Sequence, residues 1–503
     1  MKRKLLWVII LTEMKKCRVL LIIVILSFSN CLLAQHSFER VISEPEDQII
    51  NDVIEDNDGN YFLAGRFNNI EATSNSGYII KLDSSGNLME QKIISPNDTV
   101  SSLFFNIHFF NYHYYIIGTE IVNYPDTSKL WYLKLNSDLE IENEKFLAIP
   151  HGRWFSYMNS IIDSDNNFVI TGYTTRMDDV YDYNHDAFFY KLNINGDSLT
   201  SKFYTSIIPL YFSFDIVESP DRSKYYAFVS HFESSSGGQK LILNKNFDSL
   251  SINPIPLGIY DYYSPITINE NEILLCGKGS PDQSELYALN VISINEQTEL
   301  IDHNSYRKQS NMREHPSMYK GVSKNGNNIY IGGTSNLDYY NPFWSTFNSW
   351  FHLIKINPDI TTIWEYWYGG DAYYFLYSIL ATNDGGCLMV GSRYDDDTQE
   401  QERDIYVVKV DSSGLITWTQ EILTDKPKTK VYPNPGTNEL NIKTTSNEID
   451  FELLNINGQV VVREMLDGNN SIINVESIKP GIYFYRLIDD KYKTVETGKW
   501  IKH

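Results

Sequence analysis

The sequence predicts an all-β chain assembled from one repeated four-stranded unit and closed by a second, smaller β domain. Three observations predict it. The 503 residues include 36 Tyr and 25 Phe, side chains that favour strands over helices. Strand-length apolar runs broken by Asn, Asp, Ser and Gly recur along the chain, and runs at helical spacing are absent beyond the N-terminus. A phrase of about fifty residues repeats through residues 36–422, the size of one four-stranded propeller blade.

Residues 1–34 read as a signal peptide rather than as fold. Lys15, Lys16 and Arg18 give a basic start, Val19 to Leu26 an apolar run, and Leu32 and Ala34 a boundary before Gln35. The earlier basic and apolar run from Met1 to Leu11 makes Met14 an alternative start. An uncleaved anchor is the competing reading, for which the apolar run is short. Cys31 raises a lipoprotein alternative, but Phe28-Ser29-Asn30 fits a lipid-attachment motif poorly. After cleavage no stable transmembrane segment is expected, and Cys276 and Cys387 are the cysteines left. Both sit in apolar strand-like runs, so buried thiols are expected, without a disulfide framework or a Cys-x-x-Cys metal site.

The formal charge is −22, and removal of residues 1–34, with six Lys/Arg and one Glu, leaves 36 basic against 63 acidic side chains. The last 73 residues hold 8 basic and 10 acidic groups, so the acidity belongs to the large region. Such a surface repels phosphate backbones, which argues against nucleic acid and anionic membranes as partners.

The clearest copy of the phrase is the last. Leu376 to Ala381 is a first strand, Asn383-Asp384-Gly385-Gly386 a tight turn, and Cys387 to Gly391 a second strand. Asp404 to Asp411 is a third, Ser412-Ser413-Gly414 a turn, and Leu415 to Ile422 the expected fourth. The first copy reads alike, from Ile49 to Ile94. Gly65, Gly118, Gly172, Ser230, Gly277, Gly332 and Gly391 close the second strands at intervals of 47 to 59 residues. The third strands carry Lys81-Leu82-Asp83, Lys134-Leu135-Asn136, Lys191-Leu192-Asn193, Lys355-Ile356-Asn357 and Lys409-Val410-Asp411. Asp/Asn-Gly turns supply the positive φ that tight hairpins need, and radial stacking buries both faces of each sheet. Seven phrases predict a seven-bladed β-propeller over residues 35–425, and His36 to Ile42, an extra outer strand, leaves eight as the alternative. A β-solenoid competes, but its repeats are usually much shorter. Asp404 to Trp418, with its Asp-x-Tyr-x-x-Lys-x-Asp-x-x-Gly-x-x-x-Trp pattern, resembles the divergent repeats of bacterial secreted propellers. That phrase implies architecture, not activity.

Residues 426–430, Lys-Pro-Lys-Thr-Lys, form a polar linker before a change in composition. Then follow Tyr432-Pro433-Asn434-Pro435, Leu440-Asn441-Ile442, Phe451 to Asn455, Asn457-Gly458 and Lys479-Pro480-Gly481-Ile482-Tyr483. In this order, residues 431–503 resemble the type IX secretion C-terminal sorting domain. The stretch reads as a small antiparallel β-sandwich, with Asn457-Gly458 and Pro480-Gly481 as hairpin turns and Trp500-Ile501-Lys502 in the last strand. The resemblance implies recognition by the type IX machinery at the outer membrane, then release or surface attachment. An accessory sandwich domain is the alternative.

No GxSxG, HExxH, P-loop or Rossmann phrase occurs in a suitable context. His151, His185, His231, His315 and His352 lack metal-site spacing and read as surface or packing residues. Asp56-Asn57-Asp58-Gly59, Asp163-Ser164-Asp165 and Asp395-Asp396-Asp397 invite a Ca²⁺ reading, but none continues into a twelve-residue loop with a distal Glu. Turn chemistry accounts for the first two and solvation for the third. The most uneven feature is the loop from Asn336 to Trp350, with Tyr339, Tyr340, Phe343, Trp344, Phe347 and Trp350. Its rings suit sugar stacking or a protein partner, or else a plug folded over the propeller. Trp364, Trp367 and Tyr368 on the next strand are expected in the core. The sequence thus predicts a secreted or surface-displayed propeller that binds a glycan or surface protein, with no cofactor and no identifiable reaction. The alternative is a polysaccharide hydrolase or lyase with two carboxylates in a concave mouth.

Overall fold

The computed structural model describes residues 37–416 and 429–503, apart from residue 45 and the short segments 70–73, 97–100, 123–126, 149–152, 180–181, 205–210, 232–237, 280–285, 397–401, 445–448, 456–459, 467–469 and 489–493. The expected signal peptide, most of the linker and Asn457-Gly458 lie outside the described residues. The chain divides into two units, with the border between Trp418 and Thr419.

The described strands of the first unit form seven antiparallel sheets, at residues 47–94, 101–148, 153–204, 211–254, 260–306, 314–369 and 373–410. Within each, consecutive strands pair as neighbours, save that two segments of the sixth sheet, Glu314–Pro316 and Val322–Asn325, both pair with Asn328–Ser335. The first strand of each sheet packs on the sheet before it, and the seventh sheet packs on Asp47–Glu55 of the first, closing a circle. Phe38–Ile42 completes the seventh sheet as its outer strand, antiparallel to Asp404–Val410. The extra outer strand therefore seals an existing sheet and begins no new one. It also holds the place expected for Leu415 to Ile422: Leu415 and Ile416 are not strand, and residues 417–422 are not described. Two segments cannot share one edge, and Arg40, with hydrogen bonds to the Gly86 carbonyl and Asn87, ties the N-terminal strand to the first sheet as well.

The repeated phrase has a physical content in every part. The first strands of the first, second and seventh sheets carry a one-residue bulge beside the second-strand glycine, between Ile50 and Asp52, Phe104 and Asn106, and Leu376 and Ser378. The bulge brings a carbonyl over the glycine: a Cβ on Gly391 would lie 2.1 Å from the Phe375 oxygen, and on Gly65 1.9 Å from the Ile49 oxygen. Asp83, Asn136, Asn193, Asn244 and Asp411, at or just after the ends of their third strands, each accept two backbone N–H groups of the turn, Asp83 from Ser85 and Asn87 at 2.8 and 2.9 Å. Of the third-strand lysines, Lys134 and Lys409 pair within their own sheets, with Glu142 and Asp384, whereas Lys191 and Lys355 reach the next one, donating to the Lys245 and Ser412 carbonyls, both at 3.0 Å. Tyrosine hydroxyls do the same, Tyr132 to the Ile194 carbonyl, Tyr330 to Gly385 and Tyr368 to Gly414, at 2.6–2.8 Å. Cys276 and Cys387 are buried and free, and burial pushes the Cys387 thiol up to about 12.

The second unit has a three-stranded sheet (Lys430–Tyr432, Glu439–Lys443, Asn470–Asn474) and a four-stranded sheet (Val460–Leu466, Ile449–Leu454, Gly481–Ile488, Thr494–Lys502). Leu440, Phe451, Leu453, Leu487 and Trp500 are among its buried core. Pro480-Gly481 is not a hairpin turn. The turn falls at Val475 to Ile478, closed by a 3.0 Å backbone bond, and Pro480-Gly481 leads the chain from one sheet into the other.

Candidate functional site

The innermost strands surround a cavity of about 610 Å³, a size typical of ligand sites. Asp52, His108, Asn159, Asp215, Ser264 and Lys320 line it, each from a different sheet, between walls of isoleucine. The lining falls in the later halves of the first strands and at the turn Ser219 to Arg222, so the cavity opens at the end where those strands finish.

Its floor comes from a departure in the sixth sheet. There the inner edge is split into Glu314–Pro316 and Val322–Asn325, and Ser317 and Gly321 both pair with Gly332. Pro316 has no N–H to continue a ladder, and the chain between swings out to the axis. Met318 and Tyr319 donate backbone bonds to the Leu376 and Tyr377 carbonyls of the seventh sheet, at 3.2 and 2.9 Å. The Tyr319 carbonyl accepts from Asn159 at 3.2 Å, and its ring meets Phe105 and Tyr377 at 6.2 and 6.3 Å. Lys320 follows, at the cavity.

Polar groups stitch the wall. Asp52 accepts from the backbone of Val53 and Ile107 at 2.8 and 3.2 Å and from Ser378 at 3.4 Å. Asn106 donates to Asn159 at 3.0 Å, and His108 Nε2 lies 2.7 Å from the Ser160 hydroxyl. Burial raises the Asp52 carboxyl, against the pull of Lys320 and these hydrogen bonds. Burial lifts Asp215 well above the carboxylate range; its backbone bond from Ile216 and Lys320 oppose this, and Asp52 adds to it. Burial, with Lys320 adding, lowers His108 to about 3, so its imidazole is neutral. None of these residues was singled out in the sequence. The signal for them was their place in the repeat, the inner strand just past the bulge, where Asp52, Asn106 and Ser378 recur.

The aromatic loop lies at the opposite end of the ring, since it joins a second strand to a third. It divides in two. Phe343 packs on the core and on Phe375 at 5.2 Å, and Trp344 meets Tyr394 at 5.2 Å. The Arg403 guanidinium lies 5.4 and 4.5 Å from the Phe343 and Trp344 rings and pairs with buried Asp47 at 2.6 Å. Trp350 opens a strand, with the Lys308 ammonium 4.5 Å over its ring. Tyr339, Tyr340 and Phe347 are exposed. Tyr368 is buried, whereas Trp364 and Trp367 are half-buried at the outer strand.

The turns read as calcium candidates are occupied. Asp56 accepts from Asp58, Asn60 and the Tyr114 hydroxyl, Asp163 from Asp165, Asn167 and the Tyr225 hydroxyl. Asp395 is not merely solvated, since Arg393 sits 2.7 Å from it. Among the described residues no group of three His, Cys, Asp or Glu is arranged to hold a metal. His315 is buried with Nδ1 2.6 Å from the Pro316 carbonyl, His185 packs beside Tyr173 and Phe212, and His352 lies between two glutamates. His151 and the side chain of His231 are not described.

In the tail, Asn434 is tied to the last strand, donating to the Lys499 carbonyl at 2.8 Å and accepting from the Ile501 N–H at 3.0 Å. Trp500 donates to the Pro433 carbonyl at 2.8 Å, and Tyr483 to that of Lys479 at 2.6 Å. Pro435 joins this stretch to Gly436, which bonds Ile501.

The molecule is thus a propeller carrying a separate sandwich tail. The secretion system C-terminal sorting domain family matches residues 430–502, so the tail is a type IX sorting domain and the protein is secreted or placed at the cell surface by that route. No curated protein matches the sequence. Among solved structures it is similar to the β-propeller domain of the Trilobed protease from Pyrococcus furiosus (9% identity, 75% of this chain and 100% of that one, TM-score 0.42). It is similar also to a fungal alcohol oxidase of the AA5 family in complex with copper (10%, 93% and 99%, 0.42). A puromycin-hydrolyzing peptidase from Mycobacterium tuberculosis gives 9%, 80% and 60%, with a TM-score of 0.45. Among the described residues no helix is long and apolar enough to cross a membrane.

Proposed function

We propose that the protein is an exported binding protein, a seven-bladed propeller whose small-molecule ligand occupies the central cavity. One observation carries the reading: the cavity is ringed by polar side chains from six sheets, buried at Asp52, Asn159, Asp215 and Ser264 and half-buried at His108 and Lys320, and those of Asp215 and Lys320 have no side-chain partner among the described residues. A mature chain from Gln35, with residues 426–430 as linker, is part of this proposal. So is a secondary contact at Tyr339, Tyr340 and Phe347, for a glycan or surface-protein partner. A ligand of the cavity should raise the melting temperature of the exported protein, and Thr267→Trp, which fills the lining, should abolish that shift. A shift that survives Thr267→Trp would remove the cavity from the proposal.

The hydrolase or lyase reading draws on Asp52 and Asp215, two carboxyls at one concave site. Against it, both Asp52 oxygens are engaged with backbone and Ser378.

A further inference from the structure

We infer that the cavity takes a dipolar aliphatic ligand, an α-amino acid or short peptide with both termini free, its ammonium on Asp215 and its carboxylate on Lys320; this rests on the cavity being the binding site. Asp215 and Lys320, an acid and a base, line one cavity, yet no ion pair within 4.0 Å joins them. Asp215 is only 8% exposed. Its Oδ1 accepts the Ile216 N–H at 2.7 Å, and its Oδ2 accepts nothing among the described residues. The Lys320 ammonium likewise makes no hydrogen bond among them. A buried carboxyl and a half-buried ammonium that no side chain among the described residues answers leave two polar ends unsatisfied, and a ligand carrying both charges engages them together. Asp52 already accepts hydrogen bonds on both oxygens.

The walls decide the rest. Ile107, Ile161, Pro265 and Ile266 offer aliphatic contact, and among the described residues no Phe, Tyr or Trp ring lines the cavity for a sugar to stack upon. Besides Asp52 and Lys320, the groups facing Asp215 are neutral His108, Glu218, which pairs with Lys245, and Arg222 at the turn. Because burial holds the Asp215 carboxyl high, an arriving ammonium displaces its proton, and affinity rises as pH is raised. A neutral polyol using the protonated carboxyl as a donor would show the reverse slope.

The test is calorimetry of the mature exported protein with leucine and leucyl-leucine, in two buffers of different ionisation enthalpy. The inference expects binding with proton release, weakened at least tenfold by N-acetylation and at least tenfold by C-terminal amidation. Asp215→Asn and Lys320→Met should each weaken it at least tenfold at an unchanged melting temperature. The blocked probes on the unaltered protein keep the test valid if either variant misfolds. Equal binding of the blocked probes, or no binding of either free probe, overturns the dipolar ligand. If maltotriose then binds and Thr267→Trp abolishes it, the cavity stands as a site for another ligand; if maltotriose fails too, the cavity reading falls with it.

Discussion

His352 shows what a single residue does in this fold. It is fully buried, with Nδ1 3.1 Å from Glu314 and Nε2 2.7 Å from Glu365, and Trp367 stacks on it at 4.9 Å. Burial alone would lower its pKa, but hydrogen bonds to two carboxylates outweigh burial and hold it above the usual 6.5. The folded state therefore favours the imidazolium. Its contribution is complete below about pH 6.5 and is lost as pH rises through the higher folded value. The melting temperature should fall on going from about pH 6 to pH 9, and His352→Gln should flatten that stretch; a slope unchanged in the variant would exclude this source. Truncating one partner, as in Glu314→Gln, should cost about 3 kcal/mol, the order expected for breaking a buried pair. The sequence showed His352 as one of several scattered histidines. Glu314 and Glu365 stand 38 and 13 residues away, on strands that only the sheet brings together.

At the scale of the element, the unit is the bulged strand with its opposing glycine. The recurrence of Gly65, Gly118 and Gly391 was visible as a rhythm, but its cause, a carbonyl pressed over the Cα, lies in the pairing. Gly391→Ala should destabilise by about 2–3 kcal/mol, because the new methyl meets the Phe375 carbonyl at 2.1 Å and the Phe351 ring at 2.6 Å. Denaturant unfolding measures this, and a cost below about 0.5 kcal/mol, the level of an ordinary surface change, would refute the crowding argument. The turns were equally legible, since an Asp or Asn five residues before the next strand folds its own backbone. The broken sixth inner strand was not. His315-Pro316 and Gly321 are ordinary residues in sequence, and their effect depends on six other sheets leaving space at the axis.

The first unit is closed as a ring, with no disulfide among the described residues. Phe38–Ile42 contributes five backbone pairings to Asp404–Val410, and Phe38 is buried against Tyr61 at 6.0 Å. Tyr406 adds a bond to Glu39 at 2.5 Å. Removing residues 37–43 leaves the seventh sheet with an unpaired edge and the first without its cover. The shortened protein should melt at a lower temperature and be cut first by protease within residues 373–410. Unchanged melting would mean that the ring closes without this strand.

The sequence by itself determined the strand-rich composition, the repeat, its hairpin turns, the sandwich tail and the export route, because each is written in neighbouring residues. Turn chemistry, alternation and a sorting motif act over a few positions. The tertiary structure alone decided which segment closes the seventh sheet, that the chain at Ser317 to Gly321 crosses the axis, and that Asp52, His108, Asp215 and Lys320 face one cavity. Those residues lie up to 268 positions apart, and a polar group in a closed ring of strands is defined by what surrounds it, not by what precedes it in the chain.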